Sequence, residues 1–410
     1  MRPDEVFEQV IPYSPVSETA DGGCVESVVE TAPGQGDVLR RLPSGGGVYL
    51  LTDERDRTVL LSAAGDLRRA LRTRLAGPAT AEGDASAGAV SRRANLAAVV
   101  RKIWWQPAHS QFELYYRFWR VARQLMPRTY LEQLGFAASW FVHVDAGAAI
   151  PRFSVGKVLR GRPGVDLGPF PTMGDAQRFV QLLEDGFDLC RYGHILEQAP
   201  AGQRCAYFDM GRCAAPCDGS MPMSAYRAEV ERAVAFALGQ RDSVWSDLDS
   251  RMRTAAGRQA FEQAAALKQR LERLRGVEHR SFRLTGPMER FNYLVVQRGP
   301  GRVRVMPFFV VGGRIEPGEM VRLSEVPEAA EAWLSRLRAD LETKEGDELP
   351  SSGDALAELS EQVWLVSHFL GRKDPPGLFL KADEVVYATG LAEAIARRFQ
   401  RLTSEEVSSP

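Results

Sequence analysis

Four cysteines within 28 residues are the side chains of this sequence best suited to chemistry. They are Cys190, Cys205, Cys213 and Cys217, whereas a fifth cysteine, Cys24, stands alone near the N-terminus. A close cluster in a chain without a secretory signal favours metal binding over disulfides. Four thiolates can hold either a tetrahedral zinc ion or a [4Fe-4S] cluster, and spacing alone does not distinguish the two.

A short arginine-rich segment is the second candidate for chemistry. Its members are Arg68, Arg69, Arg72 and Arg74. Segment 66–130 around them carries twelve basic and four acidic residues, so it could meet a polyanion. Arginine binds phosphate through a bidentate fork, which makes these four residues candidates for DNA contact. The alternatives are a solvated helix face and an arginine-favouring genome, since only six of the 52 basic residues are Lys.

Length and composition place the chain among globular multidomain proteins. It has 410 residues, of which 44% are hydrophobic and 26% charged. These values exclude a small disulfide scaffold, a collagen-like chain and a wholly disordered one. No apolar run reaches the roughly 18 residues of a membrane helix, and the N-terminus lacks the order of a secretory signal. We therefore expect a cytoplasmic protein with no membrane contact.

Hydrophobic periodicity predicts the elements that position the arginines. Two apolar runs, at 46–52 and 57–62, are separated by polar residues and predict a β-hairpin. Asp66 is expected to cap a helix over 67–75, with its leucines on one stripe and its arginines on the remaining surface. Segment 1–37 shows little periodicity and is expected to be poorly ordered or loosely docked.

The same patterns predict the elements on either side of the cysteines. Before them we expect a helix over 110–125, strands at SWFVHVD and PRFSVGKVL, a turn at DLGPFPT and a helix over 174–187. After them we expect helices over 224–238, 243–256 and 261–274, the last two forming an antiparallel hairpin, and then strands followed by two helices. The fold class is therefore α/β (α+β), with several domains.

The order of these motifs resembles the UvrC family of excinucleases. The resemblance runs from about Val38 to Leu380. RRLPSGGGVYLL and GDLRRALRTRL resemble the start of the GIY-YIG nuclease domain, and SQFELYYRFWRVARQLMPRTY resembles its metal-bearing helix. DLGPFPT resembles the aromatic turn that follows, CAYFDMGRCAAPCDGSMPMSAY the Cys-rich segment, and FEQAAALKQRLERL the UVR hairpin. The resemblance implies nucleotide excision repair, with DNA and a UvrB-type helicase subunit as partners.

Most residues that the resemblance makes catalytic are replaced in this sequence. Tyr49 matches the tyrosine of the first motif, but Leu60 and Ala63 stand at the tyrosine and lysine of the second. The catalytic arginine falls on Ala70 and the metal-binding glutamate on Phe118. Loss of metal, arginine and base together is expected to abolish cleavage, because each such group contributes roughly 100- to 1000-fold.

Two other interpretations of the sequence assign the protein a function other than binding without cleavage. One is an active excinuclease-type endonuclease that uses substituted residues, with Glu113 as the nearest stand-in for the lost carboxylate. The other is an iron-sulfur regulator whose DNA affinity follows the oxidation state of its cluster. The resemblance itself implies a [4Fe-4S] cluster on the four cysteines, with zinc as the alternative.

The resemblance also implies a partner-binding face on the helical hairpin. It comprises Phe261, Glu262, Ala264, Ala265, Leu267, Arg270 and Leu271. The alternative is a hairpin that packs only on its own domain.

We accordingly expect five regions and a binding function. They are an extension over 1–37, a degenerate GIY-YIG nuclease-like domain over 38–135, a Cys-rich iron-sulfur linker module over 136–221, a helical region with the UVR hairpin over 222–282, and a C-terminal segment over 283–410. The last is expected to lack the RNase H-like nuclease core and the helix-hairpin-helix of the family. The whole is predicted to be a non-nucleolytic, UvrC-like repair factor that binds DNA, the UvrB-type subunit or both.

Overall fold

The computed structural model describes residues 2–13, 39–75, 96–344, 350, 353–385 and 390–405. Within these ranges the chain forms three antiparallel sheets, each covered by helices. The predicted mixed α and β class is confirmed. Among the described helices, none has the length and apolar character needed to cross a membrane. Cys24 lies outside the described residues.

The first sheet carries the predicted hairpin at its edge. Its strands, in the order β1-β4-β2-β3, are β1 Gln9–Pro12, β2 Gly46–Thr52, β3 Thr58–Ala64 and β4 Lys102–Ala108. Helices α1 Leu67–Leu75 and α2 Gln111–Leu125 belong to separate cores on opposite faces of this sheet. Alternate side chains of β2 therefore enter different cores, which is why nearly the whole strand is buried.

Two local features hold this sheet together. Residues 9–12 pair with β4, and Ile11 is buried, so the expectation of a poorly ordered or loosely docked segment is wrong for this stretch. Four paired residues and buried apolar side chains outweigh the low periodicity of the segment. At Gly47 an added Cβ would lie 2.5 Å from the Gln106 carbonyl oxygen and 2.8 Å from Leu67 Cδ1. The close approach of strand and helix requires glycine there.

The second sheet and the helices after it form a single middle module. Its strands, in the order β6-β5-β7-β8, are β5 Trp140–Val144, β6 Phe153–Gly156, β7 Val165–Phe170 and β8 Gly286–Pro287. Most of DLGPFPT is thus strand β7 and not the predicted turn, because it pairs with β5 on one side and β8 on the other. Thr172 then caps the next helix by accepting from the Asp175 amide.

The helices of the middle module share one core with its sheet. They are α3 Met173–Gly186, α4 Gly193–Leu196, α5 Ala206–Asp209, α6 Met223–Ala237, α7 Asp242–Gly257 and α8 Phe261–Arg275. Helices α7 and α8 form the predicted antiparallel hairpin, and α8 also packs on α3. Most buried apolar residues from 142 to 282 belong to one cluster, so residues on both sides of the expected boundary at 221/222 share a core.

The third sheet completes the described fold. Its strands are β9 Tyr293–Arg298, β10 Arg304–Val311, β11 Arg314–Pro317, β12 Val321–Arg322 and β13 Leu378–Lys381. Its helices are α9 Val326–Lys344, α10 Gly353–Leu370, α11 Ala382–Val385 and α12 Leu391–Glu405. Helix α10 packs against α2 of the first sheet, and the two regions share a hydrophobic core.

Candidate functional site

Tyr49 lies beneath a shallow pocket between the hairpin and helix α1. It pairs with Ser62 across the strands, and its side chain is only 2% exposed. The pocket has a volume of about 370 Å³, and Ala63, Ala70 and Arg74 contribute to its wall. Leu60 packs into the same core as Tyr49. The structure therefore brings together the positions that the resemblance assigns to the first two motifs and to the catalytic arginine.

Phe118 lies away from this pocket. It is buried in the core that also contains Val48 and Leu50, on the opposite face of strand β2 from Tyr49. Glu113 offers no substitute carboxylate, because it is 1% exposed and its oxygens already bind Arg117 and the His109 amide. The helix that should carry a metal ligand therefore presents no described carboxylate to the Tyr49 pocket.

The four arginines of α1 differ in whether their side chains bond within the protein or face the pocket and solvent. Arg68 donates from Nε to the Leu42 carbonyl oxygen at 2.6 Å, so it holds the preceding loop. Arg69 and Arg74 line the Tyr49 pocket, and Arg72 is exposed on the helix surface. Two of the four predicted phosphate contacts therefore converge on one pocket.

Asp66 is the single carboxylate in the described lining of the Tyr49 pocket. Its Oδ1 accepts from the Arg69 amide at 2.9 Å and so caps helix α1. One carboxylate beside two guanidinium groups leaves the pocket net positive. Such a pocket favours a phosphate anion over a divalent cation.

The four clustered cysteines lie in the loops between α3 and α6. Cys190, Cys213 and Cys217 are buried, whereas Cys205 is half-buried at the start of α5. A hydrogen bond between the Cys190 and Cys213 thiols raises the pKa of Cys190 and lowers that of Cys213. Burial raises the pKa of Cys217, and the nearby Cys213 charge acts in the same direction.

Arg191 organises the cysteine loops and was missed by the sequence reasoning. Its guanidinium forms an ion pair with Asp185 and donates to the Arg212 carbonyl oxygen at 2.8 Å. It also lies 4.3 Å from the centre of the Tyr207 ring, and its charge lowers the pKa of Cys213. Its position next to Cys190 in the sequence was the available signal.

The donor set suits a thiolate-bound metal group, but the thiols are only partly gathered. Sulfur ligands are those that a [4Fe-4S] cluster or a structural zinc ion requires. Cys190 and Cys213 are in contact, whereas the described residues contain no group of three or more His, Cys, Asp or Glu arranged to hold a metal ion.

The predicted partner-binding face of the hairpin contains both residues that pack within their own domain and residues that are exposed. Leu267 and Leu271 are buried in the core of the middle module, and Arg270 donates to the Asp188 carboxylate at 2.8 Å. These three residues therefore serve their own domain. The N-terminal turn of α8 is open, because Phe261 is 69% exposed and Glu262 and Ala265 are exposed as well, with Ala264 half-buried.

Comparison with known proteins gives matches to UvrC proteins. The UvrC/Cho excinuclease middle domain matches residues 139–236, which include the second sheet up to β7, all four clustered cysteines and most of α6. UvrABC system protein C from Alkalilimnicola ehrlichii is 24% identical over 361 residues, covering 88% of this chain and 52% of that protein. The chain contains a UvrC-type middle domain and is similar to UvrC proteins over most of its length.

Other UvrC relatives show the same partial coverage. The protein from Coxiella burnetii strain Dugway 5J108-111 is 23% identical over 279 residues, covering 68% of this chain and 44% of the relative. That from Nitrosomonas europaea is 32% identical over 118 residues, covering 28% and 19%. The chain spans about half the length of the curated relatives it matches. No solved structure matches it.

Proposed function

We propose that this UvrC-like chain acts in nucleotide excision repair as a DNA-binding factor whose Tyr49 pocket binds phosphate without cutting. The supporting observation is the separation of the Tyr49 pocket from Phe118, which lies in the core on the other face of the sheet. A metal-dependent nuclease needs a carboxylate that holds the cation beside the scissile phosphate. The pocket instead offers the guanidinium groups of Arg69 and Arg74, which can bind a phosphate without a metal ion.

A nicking assay on damaged supercoiled plasmid with Mg²⁺ or Mn²⁺ tests the absence of cleavage. We expect no nicking above background, alone or with the UvrA- and UvrB-type subunits. Metal-dependent nicking that Tyr49→Phe abolishes would contradict the proposal. Tyr49→Phe keeps the buried ring, so its loss of activity could not be assigned to unfolding.

DNA binding through the pocket is tested by charge reversal. Arg69→Glu combined with Arg74→Glu should weaken binding about tenfold or more and lower the salt slope by about two, because each arginine releases one counterion. The matched control is Arg55→Glu with Arg128→Glu, two exposed arginines that do not line the pocket. Equal losses in both double variants would count against a pocket-specific contact.

We further propose that the exposed start of α8 binds the UvrB-type subunit. The support is the open turn at Phe261, since a large exposed aromatic residue is a common anchor of protein interfaces. Phe261→Asp should reduce capture of that subunit in a pull-down, while Val303→Asp, which alters a side chain that is 59% exposed, should not. Undiminished capture by Phe261→Asp would contradict docking at this turn.

We also propose that Cys190, Cys205, Cys213 and Cys217 hold a [4Fe-4S] cluster. The cluster would hold together the loops between α3 and α6, and the Arg191 guanidinium, which lowers the pKa of Cys213, lies beside them. Protein purified without oxygen should be brown and contain about four iron atoms per chain. Cys213→Ser should lose the iron, whereas stoichiometric zinc without iron in the wild type would assign the site to zinc.

A further inference from the structure

A cavity between the middle module and the third sheet is separate from the Tyr49 pocket and has no role in the proposed function. Its volume is about 560 Å³, and strand β8, the end of α10 and strand β13 form its walls. A second cavity of about 640 Å³ adjoins it, because Arg283, Leu284 and Arg372 line both. We call the two together the junction groove.

The first cavity of the junction groove is strongly basic. Its cationic side chains are Arg241, Arg283, Arg290, Arg372, Lys373 and Lys381. Glu384 is the single carboxylate among the residues described as lining it. Lys381 forms an ion pair with Asp383 at 3.7 Å, which leaves five cations against one anion. This excess focuses a positive potential in a concave site with low-dielectric walls, which favours a polyanion.

Several of these polar groups lack a hydrogen-bond partner among the described residues. Arg241 Nε and Thr285 Oγ1 are buried without a hydrogen bond. Among the described residues, Arg290 and Lys373 make no side-chain hydrogen bond or ion pair, although both are exposed at the rim. Buried donors without acceptors are uncommon in folded proteins, and oxygen-rich ligands satisfy them.

Other groups of the cavity are already positioned by the fold. Arg372 donates to Gln111 Oε1 at 2.7 Å, and Arg283 donates to the Leu370 carbonyl oxygen at 2.9 Å. The other terminal nitrogen of Arg372 contacts His368 Nε2 at 2.8 Å. A guanidinium has five N–H donors, so both arginines retain donors beyond these bonds. The cavity therefore combines two arginines fixed by hydrogen bonds, Arg283 and Arg372, with two exposed cations that make no ion pair among the described residues, Arg290 and Lys373.

We propose that the junction groove binds the phosphodiester backbone of DNA, as a contact separate from the Tyr49 pocket. Phosphate oxygens would accept from Arg241, Arg290 and Lys373, and the adjoining cavity would let the strand continue past Arg283. The inference rests on the proposed function, because it assumes that the chain binds DNA. The groove would be a second DNA contact, between the middle module and the third sheet, and would lengthen the stretch of DNA that the protein covers.

Charge reversal at the rim tests this assignment without disturbing the core. Binding of a fluorescent 40-base-pair duplex is measured by anisotropy between 50 and 300 mM salt for wild type and for Arg290→Glu with Lys373→Glu. We expect the affinity to fall about tenfold and the salt slope to fall by about two. The matched control, Arg258→Glu with Arg275→Glu, changes two exposed hairpin arginines outside the groove and should bind like wild type.

The outcomes separate this inference from the proposed function. Wild-type affinity in the Arg290 and Lys373 variant, with lost affinity in the Arg69 and Arg74 variant, overturns the groove and leaves the proposed function intact. A wild-type chain that does not bind DNA overturns both. Tripolyphosphate binding that the rim variant loses, with unchanged DNA affinity, assigns the groove to a free polyphosphate and also overturns the proposal.

Discussion

The Tyr130 hydroxyl donates a hydrogen bond of 2.6 Å to the carboxylate of Glu361, which lies 231 positions later in the chain. Trp119 Nε1 donates to the same carboxylate at 2.7 Å, and Arg123 forms an ion pair with it at 3.1 Å. Glu361 is 3% exposed, so the charge is buried and fully partnered. This cluster joins helix α2 of the first sheet to helix α10 of the third.

Removing the Glu361 carboxylate should destabilise the chain. Glu361→Ala removes the acceptor of the Trp119 and Tyr130 hydrogen bonds and the buried carboxylate partner of Arg123, which keeps its ion pair with Asp354, at a cost of about 3 kcal/mol. Glu361→Gln keeps an acceptor and should cost about half as much. Urea unfolding monitored by circular dichroism measures both, with Glu358→Ala, one turn away and half exposed, as the control expected to cost under about 0.5 kcal/mol. Equal losses at 358 and 361 would contradict the role of the cluster.

Glu184 should make stability depend on pH. Burial raises the pKa of its carboxyl to about 7, against the opposing charge of Arg191. A carboxyl whose folded pKa is raised contributes stability below its unfolded pKa, and this contribution is lost as the pH rises through the folded value. We therefore expect a contribution of about 3 kcal/mol to disappear between roughly pH 4.5 and 7.

Glu184→Gln should remove that pH dependence. At pH 8 the variant should be more stable than the wild type, because it no longer buries a charge. Thermal unfolding from pH 4 to pH 8 measures the difference, with Glu132→Gln, an exposed glutamate, as the control. A variant that melts at the same temperature as the wild type at pH 8 would argue against a buried, charged Glu184.

Phe118→Glu should not restore metal-dependent cleavage. The position lies in the core shared with Leu50 and away from the face of Tyr49, so the new carboxylate would be buried among hydrocarbon. We expect a loss of several kcal/mol of stability, since an unpaired charge is costly to bury. Nicking of plasmid in Mn²⁺ and the melting temperature are the two measurements. Cleavage gained by a folded variant would show that helix α2 can reach the pocket.

The two ends of helix α8 should respond differently to truncation. Leu271→Ala removes a side chain that is 9% exposed and should cost about 2 to 4 kcal/mol. Phe261→Ala removes one that is 69% exposed and should change stability by under about 0.5 kcal/mol. Urea unfolding of both variants makes the comparison. A large loss at Phe261 would mean that the turn is needed by its own domain.

The sequence by itself determined the local elements, because their signals lie within one stretch of chain. Leu67 and its two companions recur at helical spacing, and α1 buries all three. The hairpin of β2 and β3 and that of α7 and α8 follow from apolar runs separated by short breaks. The order of the motifs was also sufficient to reveal the similarity to UvrC proteins, because reading that order requires no knowledge of tertiary contacts.

Only the tertiary structure decided which side chains remain available. Arg68 and Arg69 are neighbours in sequence, yet one binds the Leu42 carbonyl oxygen and the other lines the pocket. Arg270 was expected to face a partner, but Asp188, 82 positions earlier, holds it within the middle module. The junction groove likewise combines residues from 137 to 384. Such contacts depend on how distant segments pack, and the periodicity of a single element carries no information about them.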